Sequence, residues 1–232
     1  KSGKFIGWSD PRTWSLQSLC RRGIEADAII EFIKEIGLNK QNITVPIDTL
    51  YAINRGLIDS SSDRYSFIVN PMKLEIKNKP NWTEVLIPIH PDKEKKRKVQ
   101  LGEIYISKED YDKLKNKEIR LIHLYNIKLG KNPEVTTVEN KNIPKINWVS
   151  EYVIARVLMP SGIWIEGIAE LDVKNLKKDK IIQFERFGFV RYDGERESGE
   201  KNKKSIFIEG VSNSMKSFAE EKNIYEFWFA HK

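Results

Sequence analysis

Ser60-Ser61-Ser62-Asp63-Arg64-Tyr65-Ser66-Phe67-Ile68-Val69-Asn70 is the stretch where the chain changes its period. Upstream of it, apolar residues recur at helical spacing. Ile29, Phe32, Ile33 and Ile36 mark one helix, with Gly37 placed to end it. Trp14 to Arg22 reads as a shorter helix stopped by Gly23. Leu50, Ile53 and Leu57 mark a third, entered through Thr44 and Pro46. Downstream the period drops to 2. YSFIVN (65–70), MKLEIK (72–77), TEVLIPI (83–89), EIYIS (103–107), EIRLIHLYNIKL (118–129) and YVIARVLM (152–159) read as strands. So do GIWIEGIA (162–169), IIQFERFGFVRY (181–192), SIFIEG (205–210) and IYEFWFAH (224–231), all rich in β-branched and aromatic residues. One more helix is capped by Ser107 and runs through Leu114, with Asp110 at its third position. The pattern predicts a mainly β chain with an N-terminal α-helical domain over 1–62. Many short strands with few helices imply barrels or sandwiches.

Composition narrows the class. About 40% of the 232 residues are apolar and 31% charged, the balance of a globular chain. No apolar run approaches the roughly 20 residues that span a bilayer, and KSGKFIGWSD lacks the apolar core of a signal peptide. Cys20 is the single cysteine, which excludes an intrachain disulfide and a cysteine-built zinc site. A cytoplasmic protein with no membrane partner fits. Forty Lys and Arg against 33 Asp and Glu leave a net charge of +7, which favours a polyanionic partner. Lysine-rich surfaces of thermophile proteins are the alternative. Two charge-rich stretches, 93–98 and 195–204, read as solvated hairpin tips, with RNA contact the alternative.

Chemistry of its own is hard to find in the chain. His90, His123 and His231 are far apart, and none sits in a zinc-protease pattern. There is no glycine-rich phosphate loop, no nucleophile elbow, no carboxylate pair marked by spacing and no metal site. The residues point to a binding module, with an enzyme of unmarked site as the alternative.

GWSDPRTWSLQSLCRRGI (7–24) resembles a signature of the glutamyl- and glutaminyl-tRNA synthetases. Four more stretches agree in order: DRYSFIVNPMKLEI (63–76), IPIHPDK with GEIYIS (87–93 and 102–107), INWVSEYVIARVLMPSG (146–162) and IQFERFGFVRYD (182–193). EFWFAHK (226–232) completes the match, and the wording is closer to the archaeal and eukaryotic-type glutamate enzymes than to the glutaminyl branch. In the family the first signature follows the KMSKS-type loop of a class I catalytic domain. Neither that motif nor HIGH is present in these residues. The resemblance therefore implies an aminoacyl-tRNA synthetase as parent, an ATP- and magnesium-dependent glutamate–tRNA ligase, with this piece inactive alone and needing no cofactor. The catalytic domain would be in the same or a separate chain, and the tRNA would be that of glutamate or also of glutamine. The same region of a glutaminyl enzyme and a free-standing two-barrel RNA-binding module are the alternatives. The family also implies a helical domain (1–62) against the inner corner of the tRNA and two β-barrels gripping the anticodon. On this scheme a proximal barrel takes 63–140 plus 195–232, and a distal one takes 141–194.

Single-stranded bases are read by donors on their edges and flat groups on their faces. Gln183-Phe184-Glu185-Arg186 carries such groups. On a strand Gln183 and Glu185 would share one face and Phe184 and Arg186 the other. By resemblance, Gln183 and Arg186 would read the middle anticodon base, a uridine shared by both tRNAs, with Glu185 orienting Arg186. The plain alternative is a barrel strand with its polar residues in water. Arg64 aligns with an anticodon-contacting arginine, its alternative being an exposed salt bridge. Arg156, between Ile154 and Leu158, needs either an acidic neighbour or a nucleotide, and the motif match favours the nucleotide. Trp148 can stack a base or fill the core. Lys141 and Lys145 fall near a basic family position, although the chain departs from the pattern between 140 and 144. Asp10 and Arg12 match the family's DPR. With Arg21 and Arg22 they would face phosphates of the tRNA stem, and a helix dipole explains the latter two equally well.

Overall fold

The computed structural model describes residues 5–37, 44–197, 208–209 and 223–232, the pair 208–209 by its backbone alone. Parts of the predicted 195–204 charge run and of the 205–210 strand lie outside the described residues. Three helices open the chain: α1 (Leu16–Arg22), α2 (Ala26–Ile36) and α3 (Ile47–Ile58). Ser15 caps α1 by accepting the Ser18 N–H, and Gly23, at φ 97°, ends it. On α3 the buried stripe is Leu50, Asn54 and Ile58, while Leu57 faces out. Asn54 takes an apolar position because its amide joins the helices: it accepts the Glu25 N–H and donates to Gly23 O. Ile33 of α2 is likewise exposed, the stripe running instead through Ala28, Ile29 and Phe32.

The strands follow in chain order. The first ten are β1 (Asp63–Tyr65), β2 (Phe67–Val69), β3 (Pro71–Leu74), β4 (Glu84–Pro88), β5 (Lys96–Gln100), β6 (Ile104–Ser107), β7 (Glu118–Leu121), β8 (Asn126–Lys128), β9 (Glu134–Thr137) and β10 (Lys145–Ile146). Then come β11 (Tyr152–Leu158), β12 (Ile163–Glu170), β13 (Ile181–Phe184), β14 (Gly188–Glu197), β15 (Ile208–Glu209) and β16 (Asn223–His231). Between β6 and β7 lies α4 (Lys108–Leu114), capped by Ser107 as its sequence predicts. Two segments expected as single strands are hairpins. The chain folds back at His123, φ 61°, between β7 and β8, and at Arg186, φ 61°, between β13 and β14. Strand β5 emerges from the lysine-rich run read as a hairpin tip.

Eight strands form one sheet, in the order β1-β13-β14-β16-β11-β12-β15, with β2 also paired to β12. Since β1 and β2 are separated by Ser66 alone, they draw the two sides of the sheet together into a nearly closed barrel. Gly167 permits this closure: a Cβ there would stand 2.3 Å from Ile68 O of β2. The interior is filled by Tyr65, Phe67, Val157, Ile182, Phe184, Tyr192 and Phe227. Helices α1 to α3 pack outside on Phe189 and Ala230.

The other strands form a second packed body, with β10-β7-β8-β9 in one sheet and the pairs β3-β6 and β4-β5. Its core is Leu74, Ile87, Ile104, Ile106, Ile119, Leu121, Ile127, Ile146 and Trp148. The sheets divide the chain differently from the expected breaks at 140 and 195. Strands of 63–69 join those of 152–231, and 71–146 form the inserted body. The reason is register. Ladder partners such as Asp63 and Ile182 are remote in sequence, so local patterning cannot assign strands to sheets.

Candidate nucleic-acid interface

Strands β1 and β13 run parallel, with Asp63, Arg64 and Tyr65 opposite Ile182, Gln183 and Phe184. Phe184 and Tyr65 turn into the barrel core, which puts Arg64 and Gln183 side by side on the other face. Both are half-buried. The Arg64 backbone N–H is used by Ile89 O at 2.7 Å, but its guanidinium is underused: Nη2 lies 3.5 Å from Asp59 Oδ1, and Nε is buried without a hydrogen bond. The Gln183 amide has no partner among the described residues.

Beyond Phe184 the chain turns, and the strand-based assignment of faces to Glu185 and Arg186 does not hold. Phe187 N–H closes the turn onto Phe184 O at 3.0 Å, and Arg186 takes a left-handed backbone. Gly188 follows at φ 146°, where a Cβ would meet His231 O at 2.6 Å. The turn sends Arg186 and Glu185 in different directions. Arg186 reaches α4, where Nη1 and Nη2 donate to the two Asp110 carboxylate oxygens at 2.6 and 2.8 Å. Its orienting acid is thus Asp110, not Glu185. The end-on fork leaves Nε–H and the outer N–H groups uncommitted, and the side chain is 45% exposed.

Glu185 faces the seam between the two bodies. Its N–H donates to Tyr65 O at 2.9 Å, and its carbonyl accepts Asn147 Nδ2 at 2.7 Å. The carboxyl has no ion-pair partner within bonding distance among the described residues. Burial and the charge of Glu170 raise its pKa, with Arg97 and Arg64 pulling the other way. The seam itself is pinned by Arg97 and Glu170, joined through two bonds of 2.6 and 2.7 Å and both nearly buried. Glu170 also accepts the Ser66 N–H at 2.6 Å, and the Arg97 guanidinium sits 4.7 Å from the Tyr65 ring centre. His123 stands in the same field: burial, Arg97, Arg120 and Lys145 lower its pKa, with Glu170 pulling the other way. Lys145, exposed on β10 beside Arg120, has no partner among the described residues. The seam leaves Asn147 Oδ1 and His90 Nε2 buried without a hydrogen bond, alongside Arg64 Nε. Two further buried atoms without a hydrogen bond, Ser18 Oγ and Arg22 Nη1, lie at the helical end.

Sequence reasoning missed four residues here. Arg97 was hidden among lysines, although strand alternation separates it from exposed Lys96 and Lys98. Asp110, Asn147 and Glu170 carry no local signal, because each acts across a sheet or body boundary.

Other predicted site residues are placed elsewhere. Arg156 finds the acidic neighbour: Nε donates to Glu226 Oε1 at 3.1 Å, and the guanidinium lies 4.2 Å from the Trp164 ring centre. A nucleotide contact is not available to a side chain so buried and so paired. Trp148, 3% exposed, belongs to the inserted core and donates to Ile122 O at 2.8 Å, so it cannot stack a base. Lys141 is exposed and paired with Glu118 at 3.0 Å. Arg22, 1% exposed, ties α1 to the barrel through Phe229 O, Ala230 O and Tyr51 Oη, out of reach of any phosphate. Asp10 is buried and holds both Arg12 nitrogens and the Ile6 and Arg12 N–H groups. Burial alone would raise its pKa, but these bonds to Arg12 and the backbone keep it below the usual range. It organises a loop instead of meeting RNA. Arg12 and Arg21 remain partly exposed, the latter paired with Asp193 at 2.9 Å over the Trp228 ring.

Among the described residues no group of three or more His, Cys, Asp and Glu could hold a metal ion, and no helix is long and apolar enough to cross a membrane. Residues 62–150 match the family model described as tRNA synthetases class I (E and Q), anti-codon binding domain. A glutamate–tRNA ligase of Pyrococcus abyssi is 38% identical over 212 residues, covering 83% of this chain and 37% of that protein. Those of Methanocaldococcus jannaschii and Archaeoglobus fulgidus are 38% and 35% identical, covering 86% and 82% of this chain. The chain thus spans little more than a third of the length of these relatives. With the ordered signatures, these likenesses show that the chain belongs to the class I (E and Q) tRNA synthetase family, the anticodon-binding domain model falling on residues 62–150.

Proposed function

We propose that this chain binds tRNA and reads its anticodon at the seam between the barrel and the inserted body, as part of a glutamate–tRNA ligase. The observation that carries this reading is the pair of underused side chains at one place, Arg64 next to Gln183 in parallel register, with Glu185 in the field of Arg64. A uridine offers two carbonyl oxygens and one N–H on its pairing edge. The Arg64 guanidinium supplies donors only, whereas the Gln183 amide supplies both a donor and an acceptor. Together they suit that edge, and a cytidine would leave a buried group unpaired at a cost of about 1–3 kcal/mol. Arg186 and Lys145, at the rim, meet phosphates or a neighbouring base. In this reading the two bodies are the two barrels, and helices α1 to α3 approach the tRNA stem through Arg12 and Arg21.

Ligation with ATP and magnesium is assigned to the remaining length of the relatives, in the cytoplasm. That the relatives are glutamate–tRNA ligases favours glutamate over glutamine as the amino acid. The test is filter binding of this chain to glutamate tRNA transcripts. At physiological salt the transcript with its middle uridine should bind about tenfold or more tightly than one with a cytidine there. Equal binding overturns the anticodon assignment.

A further inference from the structure

On the inserted body, away from the barrel sheet, an open groove of about 780 Å³ runs between β3 with its continuation to Lys79 and the turn after β8. Its floor is fixed. Lys77 N–H donates to Pro133 O at 2.8 Å, and Val135 N–H returns to Lys77 O at 3.1 Å. Four lysines line it: Lys73, Lys77, Lys79 and Lys131. Lys73 is answered by Glu103, which also accepts the Tyr105 hydroxyl at 2.6 Å. The other three have no carboxylate partner within ion-pair distance among the described residues, and of the lining acids only Glu75 is left to offset them. Like charges gathered on a rigid concave surface repel one another, and a chain of phosphates relieves that repulsion by displacing counterions.

The position of the groove connects it with the seam. Tyr111 of α4 lines it, and the preceding residue, Asp110, grips Arg186. Neighbours on a helix diverge by about 100°, so the groove lies round α4 from the Arg186 fork. We propose that this groove carries the phosphate backbone of RNA leaving the seam, a contact to phosphates outside the anticodon bases. Phosphates carry no sequence information, so its contribution is affinity and register, not discrimination. Met72 and Tyr111 give the wall apolar surface against which sugars can lie. The inference rests on the anticodon reading for the direction of the RNA, while the charge argument stands without it.

The test uses the full chain, an anticodon stem-loop RNA with a middle uridine, and the same RNA with a cytidine there. Each is titrated across a salt series with wild type and with Lys77→Ala/Lys79→Ala/Lys131→Ala. The groove predicts that the triple variant binds both RNAs on the order of tenfold more weakly at low salt. The slope of log affinity against log salt should fall by about 0.7 per lysine removed, with the uridine preference intact. Lys77→Arg/Lys79→Arg/Lys131→Arg should keep the wild-type slope, and the substituted side chains are exposed, so the melting temperature should hold. An unchanged slope in the alanine variant overturns the groove even where the uridine preference is present. A lost uridine preference at unchanged slope overturns it too, since the lysines would then act on the bases. Equal binding of the two RNAs by wild type, with the slope still falling in the variant, defeats the anticodon reading and leaves the groove standing.

Discussion

The helical end and the seam are both rich in arginine, and they use it in opposite ways. At the helical end Arg12 is folded onto Asp10, Arg21 onto Asp193 and the face of Trp228, and Arg22 is buried against two backbone carbonyls. Each of these guanidiniums is engaged by the fold, although Arg12 and Arg21 stay partly exposed and Arg22 Nη1 is buried without a hydrogen bond. At the seam Arg97 with Glu170 is the buried pin, with Arg186–Asp110 and Lys93–Asp63 as more exposed ties, and Arg64, Gln183 and Lys145 keep donors in hand. The proposed interface therefore rests on uncommitted donors on partly exposed side chains, not on the number of cations.

The largest effect expected from breaking this contrast is at the pin. Arg97→Ala strands the Glu170 carboxylate in the interior and should cost about 3–5 kcal/mol of stability, read from urea denaturation midpoints. A loss below 1 kcal/mol would mean that the seam is wet and the pair exchangeable. At the helical end Arg22→Ala leaves Phe229 and Ala230 carbonyls buried without their donor, for about 2–3 kcal/mol. Its RNA-binding salt slope should stay at the wild-type value; a lower slope would restore Arg22 to the phosphate contacts. Gln183→Ala should remove much of the preference for the middle uridine, by about 1–2 kcal/mol, with little change in melting temperature. Asp110→Asn should leave that preference in place while raising general affinity, because a carboxylate at the RNA surface is removed.

A smaller effect concerns pH. Glu185 has its pKa raised by burial, so the folded chain holds this proton more tightly than the unfolded one does. The stabilisation that the proton confers is complete below the ordinary carboxylate range and fades as pH rises through the elevated value. Glu185→Gln should therefore be more stable than wild type at neutral pH, and the two should converge as pH falls. Parallel stability curves across that range would remove Glu185 from the buried side of the seam. Smallest of all, Lys96→Ala on the exposed face of β5 should lower RNA affinity slightly and equally for every anticodon.

Much of this fold is local, and its local parts were legible. Ser15, Gly23 and Ser107 set helix ends through bonds to residues three or fewer positions away, and alternating apolar residues announce most strands. What escaped is whatever depends on distant partners. A left-handed Arg186 or His123 cannot be anticipated from an alternating pattern, so two hairpins read as long strands. Arg156 posed a choice between acid and nucleotide that was decided by Glu226, seventy residues on. Trp148 left a choice between stacking and core, and Arg22 one between phosphate and helix dipole, because their buried surroundings are assembled from segments far along the chain. Of the candidate site, Arg64 and Gln183 were legible as residues, but their adjacency is a fact of parallel register.

The most direct measurement is a photo-cross-link from a thiouridine placed at the middle anticodon position of glutamate tRNA to this chain, mapped by mass spectrometry. The account predicts attachment to peptides holding Arg64 or residues 183–186, and loss of the link in Arg64→Ala/Gln183→Ala. Attachment confined to residues 5–37 at the helical end would contradict it.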